Sequence, residues 1–284
     1  MGLRLKPGAV VLDATVGLGG HAGEILHVIG PTGRLICLDR DQDALRLAQT
    51  RLEAFKGQTS FVHGHFGDIS AHMDRIGVVA LDGALFDLGV SSMQLDLASR
   101  GFSFRSEGPL DMRMDRTQEL SAADLVNTIS VVDLTDLLRT YGQEQWAGRI
   151  AQAIVRRRPF MTTNALAETI RKAVPGGATA GRSDPATRSF QAIRIAVNRE
   201  LELLPLGIRQ AIGRLKPGGR IVVLSYHSLE HRIIRVVFRD QTKLGLVEIV
   251  THKPVTPSEE EVRRNSRARS AQMRVAMRSS GNGS

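Results

Sequence analysis

The fold of this chain is decided by Val10-Val-Leu-Asp-Ala-Thr-Val-Gly-Leu-Gly-Gly-His21. An apolar run of strand length ends here in the carboxylate of Asp13. Its three glycines are Gly17, Gly19 and Gly20. Glycine lets the backbone turn tightly and approach a ligand where any Cβ would intrude. The amphipathic segment 22–29 comes next, so we expect a strand, a glycine loop and a helix whose first N–H groups face a ligand.

Two classes of cofactor fit this loop. The spacing Gly17-x-Gly19-x-x-Ala22 satisfies the loose dinucleotide fingerprint, which is a weak signal by itself. A carboxylate at Asp13 repels a pyrophosphate but suits the ammonium and sulfonium charges of S-adenosylmethionine. The second predicted strand ends at Asp39, whose side chain can accept hydrogen bonds from the ribose hydroxyls of either cofactor. Asp13 therefore favours S-adenosylmethionine over a nicotinamide dinucleotide.

The composition is that of an ordinary globular chain, with 42% hydrophobic and 24% charged residues over 284 positions. No apolar run approaches the length of a membrane span, and no basic region followed by an apolar one marks a signal peptide. The lone Cys37 lies in a predicted core strand, so no disulfide framework is expected. These features predict a cytoplasmic protein that has no membrane partner.

The charge of the chain favours a polyanionic partner. The formal net charge is +9 and the isoelectric point about 10.5, which suits nucleic acid better than an anionic membrane. Aromatic residues make up only 4%, too few for a long stacking platform, so we expect a few bases to be gripped. The candidates for contact with nucleic-acid phosphates are Arg156, Arg157, Arg158 and Arg194, with further arginines near the C-terminus.

The alternation of strands and helices breaks after residue 87 and resumes near residue 216. Strands are predicted at 34–39, 59–63, 81–87, 220–226, 246–251 and 271–277. Helices are predicted at 121–127, 131–141, 144–158, 163–174, 187–215 and 228–239. Turns and loops are predicted at 88–94, 176–184, 216–219 and 254–270. The sequence thus predicts an α/β domain formed by 1–104 and 199–284, with a helical domain, 105–198, inserted into it.

Six motifs together resemble the bacterial family that methylates N4 of a cytosine in the decoding region of 16S ribosomal RNA. They are Asp13-Ala-Thr-Val-Gly-Leu-Gly-Gly-His21, Asp87-Leu-Gly-Val-Ser-Ser92, Arg100-Gly-Phe-Ser-Phe104, Leu110-Asp-Met-Arg-Met-Asp115, Ser189-Phe-Gln-Ala-Ile-Arg-Ile195 with Asn198-Arg-Glu-Leu201, and His227-Ser-Leu-Glu230. As a set they are far more specific than the glycine loop. The resemblance implies a class I methyltransferase, a Rossmann-like, doubly wound, mostly parallel seven-stranded sheet with an inserted all-helical domain.

The resemblance also implies the cofactor and the partners. The cofactor is S-adenosylmethionine, and the substrate is 16S ribosomal RNA or the small ribosomal subunit, bound by a monomer or a homodimer. The positions that match the family's cofactor contacts are Gly19, Gly20, His21, Asp39, Phe66, Asp87 and Gln94. The residue pattern of the loop adds Asp13 and Gly17 to this set.

The chain departs from the family's pattern at three places. It has little of the segment that members carry before the first strand, so either an edge of the cofactor pocket is missing or the start site is misassigned. Tyr226 stands where Phe is common, and His231 replaces the usual Asp. If Ser228 is the N-cap of the helix that follows, His231 cannot complete a capping box when it is protonated.

Two side chains are candidates for catalysis. Methyl transfer from a sulfonium is an in-line displacement, so the protein must hold the amine, the methyl carbon and the sulfur collinear. Asp87, or the main-chain carbonyls of the turn after it, would stand where acceptors for the cytosine amine are needed. His227 is the second candidate, although a histidine hydrogen-bonded within its own turn is at least as common. The aromatic side chain that clamps the base is Phe102, Phe104 or Tyr226.

The sequence leaves other functions open. His227 and His231 are four residues apart, but no third ligand is near and we expect no metal. A non-catalytic RNA-binding or ribosome assembly factor could share this fold, although the intact Asp13, Asp39 and Asp87 argue against it. A nucleotide-dependent oxidoreductase is disfavoured by Asp13.

Overall fold

The computed structural model describes residues 2–175 and 184–280. The chain divides into two compact units, the first made of Met1–Gly89 and Leu201–Ser284 and the second of Val90–Glu200. The predicted boundary between residues 104 and 105 is therefore wrong, because residues 90–104 belong to the second unit. There Arg100 donates 3.0 Å hydrogen bonds to the carbonyl groups of Arg113 and Met114, and Phe102 packs in the helical core.

The described residues form seven strands, all of them in the first unit. They are β1 (Val10–Asp13), β2 (Arg34–Asp39), β3 (Thr59–His63), β4 (Leu81–Asp87), β5 (Leu215–Ser225), β6 (Val247–Ile249) and β7 (Gln272–Arg278). They form one sheet in the order β3-β2-β1-β4-β5-β7-β6, in which β7 alone runs in the direction opposite to the other six strands. This confirms the predicted mostly parallel, seven-stranded sheet of a class I methyltransferase.

The helices of both units are named in chain order. They are α1 (Gly20–Ile29), α2 (Gln42–Arg51), α3 (Ile69–Arg75), α4 (Ser92–Asp96), α5 (Ala122–Thr128), α6 (Val131–Gly142), α7 (Ala147–Arg157), α8 (Thr163–Ala173), α9 (Ala186–Asn198), α10 (Glu200–Arg214), α11 (Ser228–Lys243) and α12 (Glu259–Arg264). No helix in the described ranges is long and apolar enough to cross a membrane.

The sheet is buried on both faces, as the apolar strands predict. Along β1 and β2, Leu12 and Ile36 pack in the core on one face, whereas Val11, Leu35 and Cys37 pack in the core on the other. Strands β1, β2 and β4 run parallel and each ends in an aspartate. Parallel strands end at the same edge of a sheet, so the three carboxylates lie along one edge.

The second unit encloses its own helical core. Helix α7 buries Ala147, Ile150, Ala151 and Ile154, an i, i+3, i+4, i+7 stripe on one helix face. Leu134 and Leu138 of α6 and Ile193 of α9 belong to the same core. The unit is therefore held together by amphipathic helices, as the sequence predicts.

Four predicted elements differ from the structure. The single helix 187–215 is two helices, because Arg199 takes a left-handed φ of +50° after Asn198, whose side chain bonds to the backbone of Met112 and Met114. The turn 216–219 is part of β5, the loop 254–270 contains α12, and the turn 88–94 runs into α4. Most of the predicted loop 176–184 lies outside the described residues.

Candidate active site

The glycine loop joins β1 to α1 and brings backbone N–H groups to the carboxyl edge of the sheet. Gly17 and Gly19 have φ values of +51° and +79°, in the left-handed region that favours glycine. The N–H of Gly19 donates a 2.8 Å hydrogen bond to the carbonyl of Val16, which closes the turn. A Cβ added to Gly20 would meet no atom within 4 Å. The first turn of α1 is therefore open to a ligand at Gly20.

Asp13 ends β1 with a buried carboxyl group that is only half satisfied. Asp13 is 1% exposed, and its Oδ1 accepts a 3.2 Å hydrogen bond from the N–H of Thr15. Its Oδ2 has no partner among the described residues. Burial raises the pKa of Asp13 to about 7, with smaller contributions from the charges of Asp87 and Asp39. Because buried polar atoms are nearly always paired, this oxygen indicates a position for a cationic or N–H-bearing ligand.

Asp39 ends β2 and fastens that strand to the glycine loop. Its Oδ2 accepts a 2.8 Å hydrogen bond from the N–H of Gly17, and its Oδ1 accepts one of 2.9 Å from the N–H of Asp41. Burial raises the pKa of Asp39 to about 6. A carboxylate has about four lone-pair sites, so both oxygens keep capacity for ribose hydroxyls. Asp39 can therefore shape the loop and bind a ligand at once.

Asp87 ends β4 between two polar side chains. The hydroxyl of Tyr226 donates a 2.7 Å hydrogen bond to Oδ1, and Nε2 of His21 lies 3.3 Å from Oδ2. The backbone N–H of Asp87 donates to Oγ1 of Thr15 at 2.7 Å. Because β4 lies between β1 and β5 in the sheet, the contacts of this residue connect the ends of all three strands.

The carboxylate of Asp87 favours the protonated forms of both of its partners, His21 and Tyr226. The hydrogen bond to Asp87 raises the pKa of His21. Burial, followed by the charge of Asp87, raises the pKa of Tyr226 well above its usual value. The charges of His21, Asp87 and Asp39 all act on Asp13. The structure thus brings together four of the predicted cofactor residues.

Phe66 and Gln94 complete the predicted cofactor set, but they lie in different units. Phe66 follows β3, and its ring meets that of Phe86 edge to face with 5.8 Å between centroids. A Cβ on Gly207 would come within 2.8 Å of the Phe66 ring, so only glycine leaves the ring its place. Gln94 is buried at the start of α4, where its Oε1 accepts a 3.0 Å hydrogen bond from the N–H of Ser91 in a capping box. Its contact with a cofactor stays a prediction.

His227 is the N-cap of α11. Its Nδ1 accepts a hydrogen bond from the N–H of Glu230, whose carboxylate in turn accepts from the N–H groups of His227 and Tyr226. Glu230 therefore completes the capping box, and Ser228 is not the cap because the helix begins directly after His227. His231 instead lies with Nδ1 2.6 Å from Oγ of Ser225. The catalytic role of His227 stays a prediction.

Two of the predicted RNA-binding arginines are already engaged within the second unit. Arg158 donates from Nε to the carbonyl of Val126 at 2.7 Å and from a terminal nitrogen to that of Ile129 at 2.6 Å. Arg194 makes a paired contact with Glu200, with Nε 2.9 Å from Oε1 and both side chains at most 15% exposed. Both arginines thus have structural partners.

The other two, Arg156 and Arg157, are exposed in the last turn of α7. Neither has an ion-pair partner within residues 2–175 and 184–280. Arg156 and Arg157 remain predicted phosphate contacts.

No group of three or more His, Cys, Asp or Glu side chains suited to a metal occurs within residues 2–175 and 184–280.

Sequence reasoning did not predict that Tyr226 and Thr15 both contact Asp87. Tyr226 was expected only as one of three aromatic candidates that clamp a base. The contact between Tyr226 and Asp87 follows once the order of the strands is known, because Tyr226 comes directly after β5, Asp87 ends β4, and these two strands are neighbours. That neighbourhood is a property of strand order, which the apolar pattern of separate strands does not reveal.

Comparisons with known proteins assign this chain to a family. The model of the MraW methylase family matches residues 1–279. Ribosomal RNA small subunit methyltransferase H of Pelobacter propionicus is 48% identical, over 95% of this chain and 92% of that protein. The protein of the same name in Syntrophotalea carbinolica is 46% identical, over 97% and 94%. Among solved structures, an rRNA methylase from Streptococcus thermophilus gives a TM-score of 0.46 at 11% identity, over 97% and 89%. With a family model matched almost end to end, this chain belongs to the MraW methylase family.

Proposed function

We propose that this chain transfers a methyl group from S-adenosylmethionine to the N4 amine of a cytidine in the decoding region of 16S ribosomal RNA. The observation that carries the proposal is the set of carboxylates Asp13, Asp39 and Asp87 along one sheet edge beside an open glycine loop. Membership of a methylase family supports it, as do relatives named small subunit rRNA methyltransferases.

The carboxylates fit a cofactor that carries positive charge. Oδ2 of Asp13 is buried and has no partner in the described chain, and an ammonium group would supply one. A dinucleotide would instead bring its pyrophosphate close to the carboxylate of Asp13, which would repel it. The residues that would hold S-adenosylmethionine are Asp13, Gly17, Gly19, Gly20, His21, Asp39, Phe66, Asp87 and Gln94.

Asp87 is the side chain best placed to orient the cytosine amine. The bound cofactor supplies an electrophilic methyl group on its sulfonium. The amine is a poor nucleophile because its lone pair is delocalised into the ring, and an acceptor for its N–H groups favours a more pyramidal nitrogen. Tyr226 and His21 hold the Asp87 carboxylate from two sides, so it is a preorganised acceptor. His227 is the second candidate for contact with the base.

The substrate of this reaction is 16S ribosomal RNA or the small ribosomal subunit, which places the enzyme in the cytoplasm. A base within folded RNA must leave its stack before its amine can reach a methyl group. Positive charge in the helical unit would hold the RNA while the base is extruded. The enzyme acts as a monomer or a homodimer.

The test combines turnover with mapping of the product. The protein is incubated with methyl-labelled S-adenosylmethionine and small ribosomal subunits that lack the modification. One part of the RNA is digested to oligonucleotides to locate the label, and another to nucleosides to identify the modified base, both by mass spectrometry. We expect labelled N4-methylcytidine from one position. RNA binding without any label would favour the non-catalytic assembly factor, and tight binding of NAD without binding of S-adenosylmethionine would overturn the cofactor assignment.

A further inference from the structure

The second unit carries a cavity of about 370 Å³ between α7 and α8. We call it the basic groove, and it is lined by Arg149, Gln152, Ala153, Arg156, Arg157, Thr169, Lys172 and Ala173. Four of these eight residues are cationic, and this lining contains no carboxylate. Such a concentration of one charge favours an anionic ligand.

Helix α7 builds one wall of the groove from a single face. Its lining residues are spaced i, i+3, i+4, i+7 and i+8, from Arg149 to Arg157, which places them on one side of the helix. The opposite side is the apolar stripe that packs in the helical core. The cations therefore lie on a face that the fold leaves uncovered.

Helix stability does not account for this pattern. Arginines at Arg156 and Arg157 would complement the helix dipole, because they lie in the last turn of α7. Arg149, however, lies in the first turn, where the dipole disfavours a cation and where α7 has no acidic residue. Its presence extends the positive charge along the whole helix.

The groove cations are available to a ligand. Arg156 and Arg157 form no ion pair within the described ranges, although the charge of Arg157, after the hydrogen bond and charge of Lys172, lowers the pKa of the exposed Glu168. The guanidinium of Arg149 lies 5.9 Å from the ring centroid of Trp146. Lys172 pairs with Glu168, but both side chains are more than half exposed, so this contact is weak and exchangeable.

We propose that the basic groove binds consecutive phosphates of the RNA substrate, an inference that rests on the proposed function. Arg149 and Arg156 are seven residues apart, which is about 10.5 Å along a helix, so the groove presents its cations over a length that more than one phosphate of a strand can occupy. The proposed phosphate-binding residues are therefore Arg149, Arg156, Arg157 and Lys172. Arg158 and Arg194, which the sequence predicts as phosphate contacts, are not among them. RNA fits better than a membrane surface, because a concave groove without large apolar side chains cannot insert among lipids.

The experiment measures the salt dependence of RNA binding. A fluorescent transcript of the 16S decoding region is titrated with the full chain at several salt concentrations, and anisotropy gives the affinity. The variant Arg156→Gln/Arg157→Gln should lower the slope of log affinity against log salt by about 1.4 to 1.8, which is two contacts at about 0.7 to 0.9 each. Arg149→Gln alone should lower it by about 0.7 to 0.9. Affinity for S-adenosylmethionine should not change.

The matched control is Arg46→Gln/Arg51→Gln, which removes two exposed charges from α2 in the other unit. It should leave the slope unchanged. An unchanged slope in both groove variants, with methylation intact, would overturn the groove and leave the proposed function standing. A wild-type chain that methylates neither this transcript nor small ribosomal subunits would overturn the function itself. Phosphatidylserine vesicles form a third arm, and groove-dependent binding to vesicles but not to RNA would assign the groove to a membrane.

Discussion

The hydroxyl of Tyr226 donates a 2.7 Å hydrogen bond to Oδ1 of Asp87, so the residue after β5 fixes the carboxylate that ends β4. The same carboxylate has His21 3.3 Å from its other oxygen. A carboxylate held in this way cannot swing freely. Removing the charge of Asp87 should therefore have different consequences from removing the Tyr226 hydroxyl that holds it.

Asp87→Asn should raise the KM for S-adenosylmethionine and lower kcat by a smaller factor. The amide keeps an acceptor for Tyr226 but loses the charge, and a hydrogen bond to a charged group contributes about 1.5 to 3 kcal/mol, roughly tenfold to a hundredfold in binding. Steady-state kinetics with both substrates varied separate the two constants. Since Asp87 raises the pKa of His21, the variant should also lower that pKa, which an NMR titration measures. Wild-type values of both kinetic constants would exclude Asp87 from the site.

Tyr226→Phe should keep most of the activity. The change removes one hydrogen bond to a charged acceptor, and we expect the free energy of unfolding to fall by about 1 to 3 kcal/mol. Because the resemblance indicates that Phe is common at this position, kcat should fall by less than about tenfold, a barrier change under roughly 1.4 kcal/mol. Chemical denaturation and single-turnover methylation give the two values. A loss as large as that of Asp87→Asn would instead give the Tyr226 hydroxyl its own part in the reaction.

Asp39→Ala should weaken binding of S-adenosylmethionine by roughly tenfold to a hundredfold, as expected for a lost charged acceptor. The change also frees the N–H of Gly17, so part of the effect comes through the loop. Asp39→Asn, which keeps an acceptor oxygen, should lose less. Calorimetry measures both, with Asp43→Ala on the exposed face of α2 as the control. Equal affinity in Asp39→Ala and the wild-type chain would contradict the assignment.

Binding of S-adenosylmethionine should strengthen as the pH rises from about 5.5 to 7.5. The pKa values of Asp13 and Asp39 are raised to about 7 and about 6, so these groups become charged within this window. The stability of the unliganded protein changes with pH in the opposite direction. The raised pKa values of these two groups stabilise the folded chain most below about pH 4, and this contribution to the free energy of unfolding is lost as the pH rises through about 6 to 7. Asp13→Asn should flatten the binding profile. Calorimetry in buffers of different ionisation enthalpy should detect proton release on binding by the wild-type chain and less by the variant.

Arg158→Ala should lower the free energy of unfolding by about 1 to 3 kcal/mol, because it leaves the carbonyl groups of Val126 and Ile129 without their donors. Arg157→Ala, one position earlier and exposed, should change it by less than about 0.5 kcal/mol. Urea denaturation compares the two. Equal stability of the two variants would show that the contacts of Arg158 contribute little.

The sequence was sufficient for the sheet and the carboxylates because each strand is an apolar run that ends in an aspartate, as at Asp13, Asp39 and Asp87. It was insufficient where the structure depends on distant partners. Arg199 breaks a continuous helical pattern only because Asn198 bonds to the segment around Met112. The contact between Tyr226 and Asp87 likewise depends on strand order.

The unit boundary was misplaced for a related reason. Residues 90–104 have no clean period, and their membership of the helical unit rests on contacts such as those of Arg100 with the carbonyls of Arg113 and Met114. Periodicity reports which face of an element is apolar, and it does not report which core an irregular segment joins.

The pairing of β4 with β5, in which Asp87 lies opposite Leu224, joins two parts of the chain that the whole helical unit separates. During synthesis at about 5 to 20 residues per second, roughly 7 to 27 s pass between the emergence of these two residues. The glycine loop and all three aspartates therefore leave the ribosome long before Tyr226. A nascent chain therefore contains Asp13, Asp39 and Asp87 before it contains Tyr226, which fixes the Asp87 carboxylate. The pairing of β4 with β5 is a late step of folding, because pairing between residues far apart in sequence is slow to form.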